Sequence, residues 1–254
     1  MLPGNVDLIL ARLDAQARVL DVGGWAAPFR PATHVLDIEP YETRGVMLPG
    51  YGPEPERFGA DTWVVRDICD REPWPFEDDF FDFSLCVTTL EDLRDPIWVC
   101  SELSRVSKAG YVEVPTIIAE LIYSVDGQAP ILGHAHHRWF CETERGGLVF
   151  THKPHLIHSN WRLRVLPRWA AQLTVEEQLL DLFWEGELPA REEHIIGPPG
   201  YPLERWERLV RERFEPTALE LGLKRLRERL GHLVRRSLLP LRRLVERGLG
   251  ALRR

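Results

Sequence analysis

The sequence predicts an open, wound α/β sheet, and three observations predict it. Five short apolar runs, each closed by a turn or a carboxylate, fall between residues 18 and 115. An amphipathic segment of helical period separates the fourth run from the fifth. Charge then changes sign late in the chain: residues 1–203 carry 17 Lys+Arg against 32 Asp+Glu, and residues 204–254 carry 15 against 7. The expected organisation is a domain over 1–202, with its core at 15–115 and an insertion at 116–200, followed by a basic amphipathic helical tail at 203–254.

Taken in order, Asn5–Ala15 reads as a short helix, because Val6, Ile9, Leu10 and Leu13 recur at helical spacing. The runs Arg18–Val22, His34–Ile38, Thr62–Arg66, Phe81–Val87 and Tyr111–Val114 are β-favouring with almost no polar alternation. Such runs suit strands buried on both faces of a parallel sheet. Asp95–Lys108 places Ile97, Val99, Cys100, Leu103 and Val106 on one helical face, and Lys108-Ala109-Gly110 is expected to close it. Only ten residues, 24–33, link the first two strands, and Pro28 and Pro31 interrupt them. That length predicts a reduced helix or a single turn.

Past Pro115 a loop rich in glycine and histidine leads to Gly147–Lys153, which alternates as an edge strand does. Thr174–Phe183 reads as a helix opened by a capping box, Thr174 with Glu177. A proline-rich loop follows at 197–202, and the chain from Leu203 onward is helical and basic.

Composition excludes several classes. At 254 residues and 44% hydrophobic content the chain can bury one full core. No stretch approaches the roughly 18 uninterrupted apolar residues of a membrane span. The N-terminal residues lack the basic start and apolar run of a secretory signal. Cys69, Cys86, Cys100 and Cys141 show no C-x-x-C spacing, which points to buried thiols and a cytoplasmic location. The acidic body repels a phosphate backbone, so nucleic acid is not an expected partner.

The chemistry begins at Asp21-Val22-Gly23-Gly24, where the first strand ends in a glycine turn. The continuation Trp25-Ala26-Ala27-Pro28 fails the G-x-G-x-x-G pattern that cradles a pyrophosphate, which counts against a dehydrogenase. A cofactor without phosphates needs less: close backbone approach and a carboxylate at the strand end. Asp37 ends the second strand, placed to accept hydrogen bonds from a ribose diol. Asp67 ends the third, where a carboxylate can meet an adenine amino group and Ile68 can cover the ring. Each feature alone also fits an ordinary turn or a solvated acid. Three acids at successive strand ends, on the side where such sheets bind ligands, point together to a nucleoside-bearing cofactor.

Val19–Gly24, Asp37, Asp67, Trp74-Pro75-Phe76-Glu77-Asp78-Asp79-Phe80-Phe81-Asp82 and Glu102–Gly110 together resemble class I S-adenosylmethionine-dependent methyltransferases, whose sheet is Rossmann-like. The match is nearest to the methyltransferase type 11 group and covers about residues 15–115. Val114-Pro115 with the later His137-Arg138-Trp139 is similar to a bacterial subgroup associated with surface-glycan biosynthesis. The resemblance implies S-adenosylmethionine as cofactor. Asp21 and Gly23 would contact its methionine part, Gly24 would allow close approach, and Asp37 would hold the ribose hydroxyls. Asp67 and Ile68 would meet the adenine, and Cys86 and Val87 would line the methyl-transfer channel. Two departures stand out. Trp25-Ala26-Ala27 replaces the usual third glycine, and Thr88-Thr89-Leu90-Glu91-Asp92 stands where relatives often carry histidines.

The implied activity is methyl transfer to a small-molecule or glycan acceptor, at oxygen. The alternative is a non-catalytic binding or interaction module on the same sheet. His134, His136 and His137, followed by His152, His155 and His158, offer His136 or His137 as general base. A metal reading of His134-x-His136-His137 lacks helical i, i+4 spacing, and a hard ion prefers carboxylates, so no metal site is assigned. The bland alternative is a set of histidines satisfied by backbone or water.

The tail places leucines at 219, 223, 226, 230, 233, 241, 244 and 252, with Gly248 in the same series, arginines filling most positions between and Pro240 as a kink. Packing on the catalytic domain, coiled-coil pairing and binding to an anionic membrane all fit this pattern. The concentration of basic residues favours the membrane, at its inner face.

Overall fold

The computed structural model describes residues 1–2, 4–125, 127, 129–195, 203–214 and 226. The chain divides into one unit over Met1–Leu209 and a second over Val210–Arg254. The proline-rich loop, the amphipathic pattern from Leu219 and the kink at Pro240 lie, Leu226 apart, outside the described residues.

Helix α1 (Asn5–Leu10) is shorter than its apolar pattern, because Arg12 N–H to Ile9 O and Leu13 N–H to Leu10 O tighten the chain into single turns. Strands β1 (Val19–Val22), β2 (His34–Asp37) and β3 (Trp63–Val65) pair in parallel on one side. β4 (Phe83–Val87) and β5 (Ala109–Pro115) extend the sheet from the other side of β1. Alternate side chains feed two cores. Leu20, Val22, Leu36, Cys86, Val112 and Val114 enter one, and Val19, Val35, Phe83, Leu85 and Tyr111 enter the other. That double burial explains why these strands read as unbroken apolar runs.

Helix α2 (Pro96–Val106) crosses from β4 to β5, capped by the Asp95 side chain, which accepts from Trp98 N–H. The expected stop at Lys108–Gly110 is not a helix cap. β5 already begins at Ala109, and a Cβ on Gly110 would lie 2.6 Å from Ser84 O and from Trp184 Cζ2. That glycine admits a tryptophan.

No helix joins β1 to β2, as the short link predicts. A turn closes at Ala32 N–H to Phe29 O, and residues 45–51 strap over it. Gly45 N–H donates to Trp25 O at 2.7 Å, Met47 N–H to Ala26 O at 3.0 Å and Tyr51 N–H to Pro28 O at 3.0 Å.

A single turn, α3 (Ile117–Glu120), follows β5. A second sheet comes next, formed by β6 (Trp139–Glu144), β7 (Gly147–His152) and, later, β9 (Ala190–Glu192) in the order β6-β7-β9. The segment expected as an edge strand is therefore central, flanked on both sides. After α4 (Pro167–Ala170), the capping box at Thr174 is present, but its helix α5 (Val175–Gln178) lasts one turn. Leu179–Glu185 is instead strand β8, antiparallel to β5. Its period is two: Leu180, Leu182 and Trp184 pack into one core, while Phe183 packs on Tyr111 from the other face with ring centroids 4.8 Å apart. Packing outweighs a cap worth about 1 kcal/mol. Helix α6 (Leu203–Arg213) begins the basic tail, with Trp206 against Phe140. Among the described residues no helix is long and apolar enough to cross a membrane. All four cysteines are buried and free.

The sheet order is β3-β2-β1-β4-β5-β8. The chain winds outward from β1 to β3, then returns to the far side of β1, creating a switch point between β1 and β4 at their carboxyl ends.

Candidate functional site

The glycine turn lies at that switch point. Gly23 adopts φ +76°, a left-handed backbone, and a Cβ there would lie 2.4 Å from Thr89 Oγ1. A Cβ on Gly24 would lie 2.3 Å from Asp21 Oδ2, so the missing side chain leaves room for that carboxylate. Asp21 is 1% exposed, and its Oδ2 accepts from Phe29 N–H at 2.7 Å. Burial raises its pKa to about 7 against that hydrogen bond, with nearby Asp37 adding to the rise.

Asp37 is also buried. Its Oδ2 accepts from Trp25 N–H and its Oδ1 from Glu39 N–H, each at 2.9 Å. Burial raises its pKa in spite of these donors. Each oxygen keeps a further lone pair for a ligand hydroxyl. Trp25, the departure in the turn, thus uses its amide to hold Asp37. Its indole N–H donates to Thr43 Oγ1.

Asp67 lies one strand further out, more open to solvent. Its Oδ1 accepts from Cys69 N–H at 2.9 Å and its Oδ2 from Arg94 at 2.6 Å. Partial burial, which would raise its pKa, is outweighed by these donors, and the pKa is lowered.

Two of the sequence-predicted residues stand elsewhere. Ile68 is 7% exposed, turned into the core where its carbonyl accepts from Trp74 Nε1. The open apolar side chain beside Asp37 is Ile38, at 62%. Cys86, expected to line the methyl-transfer channel, has its side chain fully buried with Cys100, Leu103 and Val112, because its position in β4 faces the core. Burial pushes its thiol well above the ordinary range. Val87, half-buried on the opposite face, ends the strand. Thr88 follows at φ +47°, a strained conformation for a β-branched residue.

Past Thr88 lies a polar cluster that no single sequence segment announces. The loop bearing the histidines docks on the turn after β4, with Arg138 N–H to Glu91 O at 2.7 Å and Trp139 Nε1 to Leu93 O at 2.7 Å. Histidines missing from the turn itself are thereby brought to it from residues 134–137. His137 Nδ1 lies 2.5 Å from Glu120 Oε1, and Lys153 Nζ lies 2.5 Å from Glu120 Oε2. Glu120 is buried. Burial alone would raise its pKa, but His137 and Lys153 hold it below the ordinary value. His137 is 8% exposed by side chain and turns Nε2 toward Asp92 Oδ1 at 3.7 Å, and His136, at 64%, lies 3.9 Å from Asp92 Oδ2. Rings of His134 and His137 stand 4.6 Å apart.

Asp92 has its pKa raised by burial, opposed by the neighbouring histidines. Glu91 is fully enclosed, with neither carboxyl oxygen hydrogen-bonded, and burial pushes its pKa far up. Sequence reasoning reached His136 and His137 but missed Asp92, Glu120 and Lys153. The one available signal was an adjacent Glu91-Asp92 pair directly after a buried strand.

No family model and no curated protein matches the chain. Solved structures do. An S-adenosylmethionine-dependent methyltransferase from Mesorhizobium loti is similar at 14% identity and a TM-score of 0.33, over 60% of this chain and 64% of that one. The cyclase SpnF is similar at 21% identity and 0.32, over 44% of each chain. An arsenic(III) S-adenosylmethionine methyltransferase from Chlamydomonas reinhardtii is similar at 18% identity and 0.29, over 46% of this chain and 50% of that one. The chain spans about half the length of the structures it matches first. By the order of its sheet, with β1 beside the switch point and a last strand antiparallel to β5, this chain has the Rossmann-like fold of the class I methyltransferases.

Proposed function

We propose that the chain transfers the methyl group of S-adenosylmethionine to a hydroxyl of a small molecule or glycan. The observation that carries this reading is the convergence of Asp21, Gly23, Gly24 and Asp37 at the switch point, with both glycines in places a Cβ would fill. Asp37 would accept the ribose hydroxyls, and Asp21 would face the cationic methionine end. Ile38, rather than Ile68, would cover the adenine, with Asp67 near its amino group. Bound S-adenosylmethionine supplies a methyl group on a sulfonium, open to in-line displacement. The chain's part is alignment and proton removal. Val87, Thr88 and Thr89 would border the methyl-bearing end. The acceptor's proton would pass to Nε2 of His137, whose Nδ1 is engaged by Glu120, or to the more open His136.

Isothermal titration with S-adenosylmethionine tests the seat. Saturable heat is expected, with affinity lowered about 100-fold in Asp37→Ala, as befits loss of two hydrogen bonds to a charged group. Equal binding by the variant, or no binding by either protein, refutes the reading.

The basic tail completes the proposal. With 15 Lys+Arg against 7 acids over residues 204–254, it is suited to holding a cytoplasmic enzyme at an anionic inner membrane face, near a lipid-linked saccharide acceptor. The full chain is expected to co-sediment with anionic liposomes, and a chain ending at Pro216 to stay in the supernatant. Equal sedimentation of the two would remove the membrane from the account.

A further inference from the structure

We infer that Asp92, His136 and His137 form a binding site for a divalent first-row transition ion. The case starts from a mismatch of lone pairs. Glu120 lies 2.5 Å from His137 Nδ1 at one oxygen and 2.5 Å from Lys153 Nζ at the other, so it is the acceptor for both. The proton of a neutral His137 ring therefore sits on Nδ1, and Nε2 presents a lone pair. That lone pair faces Asp92 Oδ1 at 3.7 Å, too far for a hydrogen bond, and Oδ1 is buried with no hydrogen-bond partner. Two electron pairs turned toward each other in an enclosed place need a positive charge between them.

His136 Nε2 adds a third donor from the solvent side, 3.9 Å from the other oxygen of Asp92. One ligand atom from each of the three residues lies within 4.8 Å of the other two, so small side-chain rotations bring them onto a common ion. The surrounding charges agree. Lys153 pairs with Glu120, which leaves Asp92 as the carboxylate facing the two imidazoles.

The donor set chooses the ion. Two imidazole nitrogens and one carboxylate favour zinc, cobalt, iron or manganese over magnesium or calcium, which prefer all-oxygen shells. Three protein ligands leave a position open, the pattern of zinc sites that do chemistry rather than hold structure. Glu120 on the far nitrogen of His137 fixes that ring's tautomer and orientation, as an outer-shell carboxylate does for a metal-bound histidine. The loop spacing that argued against a metal at His134-x-His136-His137 is bypassed, because the carboxylate comes from the turn after β4. On the methyl-transfer reading, an ion here would occupy the lone pairs of His136 and His137 and so take over from them as general bases, holding the acceptor oxygen and lowering its pKa instead. Metal binding itself stands without that reading.

The test is titration of the EDTA-treated full-length chain with Co2+, followed by visible absorption, and with Zn2+ by calorimetry, both without S-adenosylmethionine. One equivalent of Co2+ is expected to give ligand-field bands that one equivalent of Zn2+ removes. Asp92→Asn and His136→Ala, both partly open to solvent, should keep the native circular dichroism and weaken binding at least about tenfold each, and Glu120→Gln should weaken it about 10–100-fold. Absence of stoichiometric binding would overturn the inference. Binding unchanged in both Asp92→Asn and His136→Ala would overturn it equally, by placing the ion elsewhere.

Discussion

At the carboxyl ends of β1 and β2, Asp21 and Asp37 accept hydrogen bonds from amides 8 and 12 residues away. Beyond β4 and β5, Glu120 instead takes its partners from 17 and 33 residues away, on two different loops. The first region is assembled by the local course of the chain, a strand, a tight turn and a short return. The second exists only once the histidine loop and β7 have docked. Local assembly leaves carboxylates held by amides with lone pairs to spare, suited to a ligand's hydroxyls. Docked assembly makes a closed set of charges in which each group depends on the others.

That difference is open to attack by mutation. The largest effect is expected in the docked region. Glu120→Ala leaves Lys153 and His137 buried without their shared carboxylate, and urea unfolding should show a loss of about 3–5 kcal/mol, with Glu120→Gln losing less. A loss under 1 kcal/mol would mean that the cluster relaxes into solvent and is not the interdependent unit described.

The locally assembled region should respond in the opposite sense. Asp21 has a pKa of about 7 in the folded chain against an ordinary value of 3.8, so the folded state binds the extra proton between those values. Its contribution to stability is complete below about pH 4 and is lost as pH rises to about 7. Asp21→Asn, which carries no charge and can still accept from Phe29 N–H, should therefore match the parent near pH 4. It should exceed the parent at pH 7 and above, by up to about 4 kcal/mol. Thermal unfolding across that range checks both the sign and the window. A variant less stable than the parent at pH 8 would show that the turn accommodates the charged form of Asp21.

The same contrast explains what could be read from the sequence. β1 to β5 and α2 were legible because double burial writes continuous apolar runs and a crossover helix writes a 3.6-residue period. The glycine turn and Asp37 were legible for the same local reason. β8 was not, since a sound capping box at Thr174 sits directly before it, and only the seven paired residues along β5 reveal Leu179–Glu185 as a strand. Gly110 read as a helix stop because its true role, admitting Trp184, depends on a residue 74 positions later. Ile68 and Ile38 follow their acids in the same way, and only tertiary packing turns one inward and leaves the other open. Asp92, Glu120 and Lys153 were illegible as a site because each is an ordinary residue in its own segment.

The central claim is that the switch-point turn seats S-adenosylmethionine with its cationic end beside Asp21. Calorimetric titration at pH 6.5, repeated in buffers of different ionisation enthalpy, tests it most directly. A cation brought next to Asp21 lowers that group's pKa, so binding should release protons, a substantial fraction of one per ligand, and the release should disappear in Asp21→Asn. Binding with no net proton release, or with the same release in the variant, would contradict the placement.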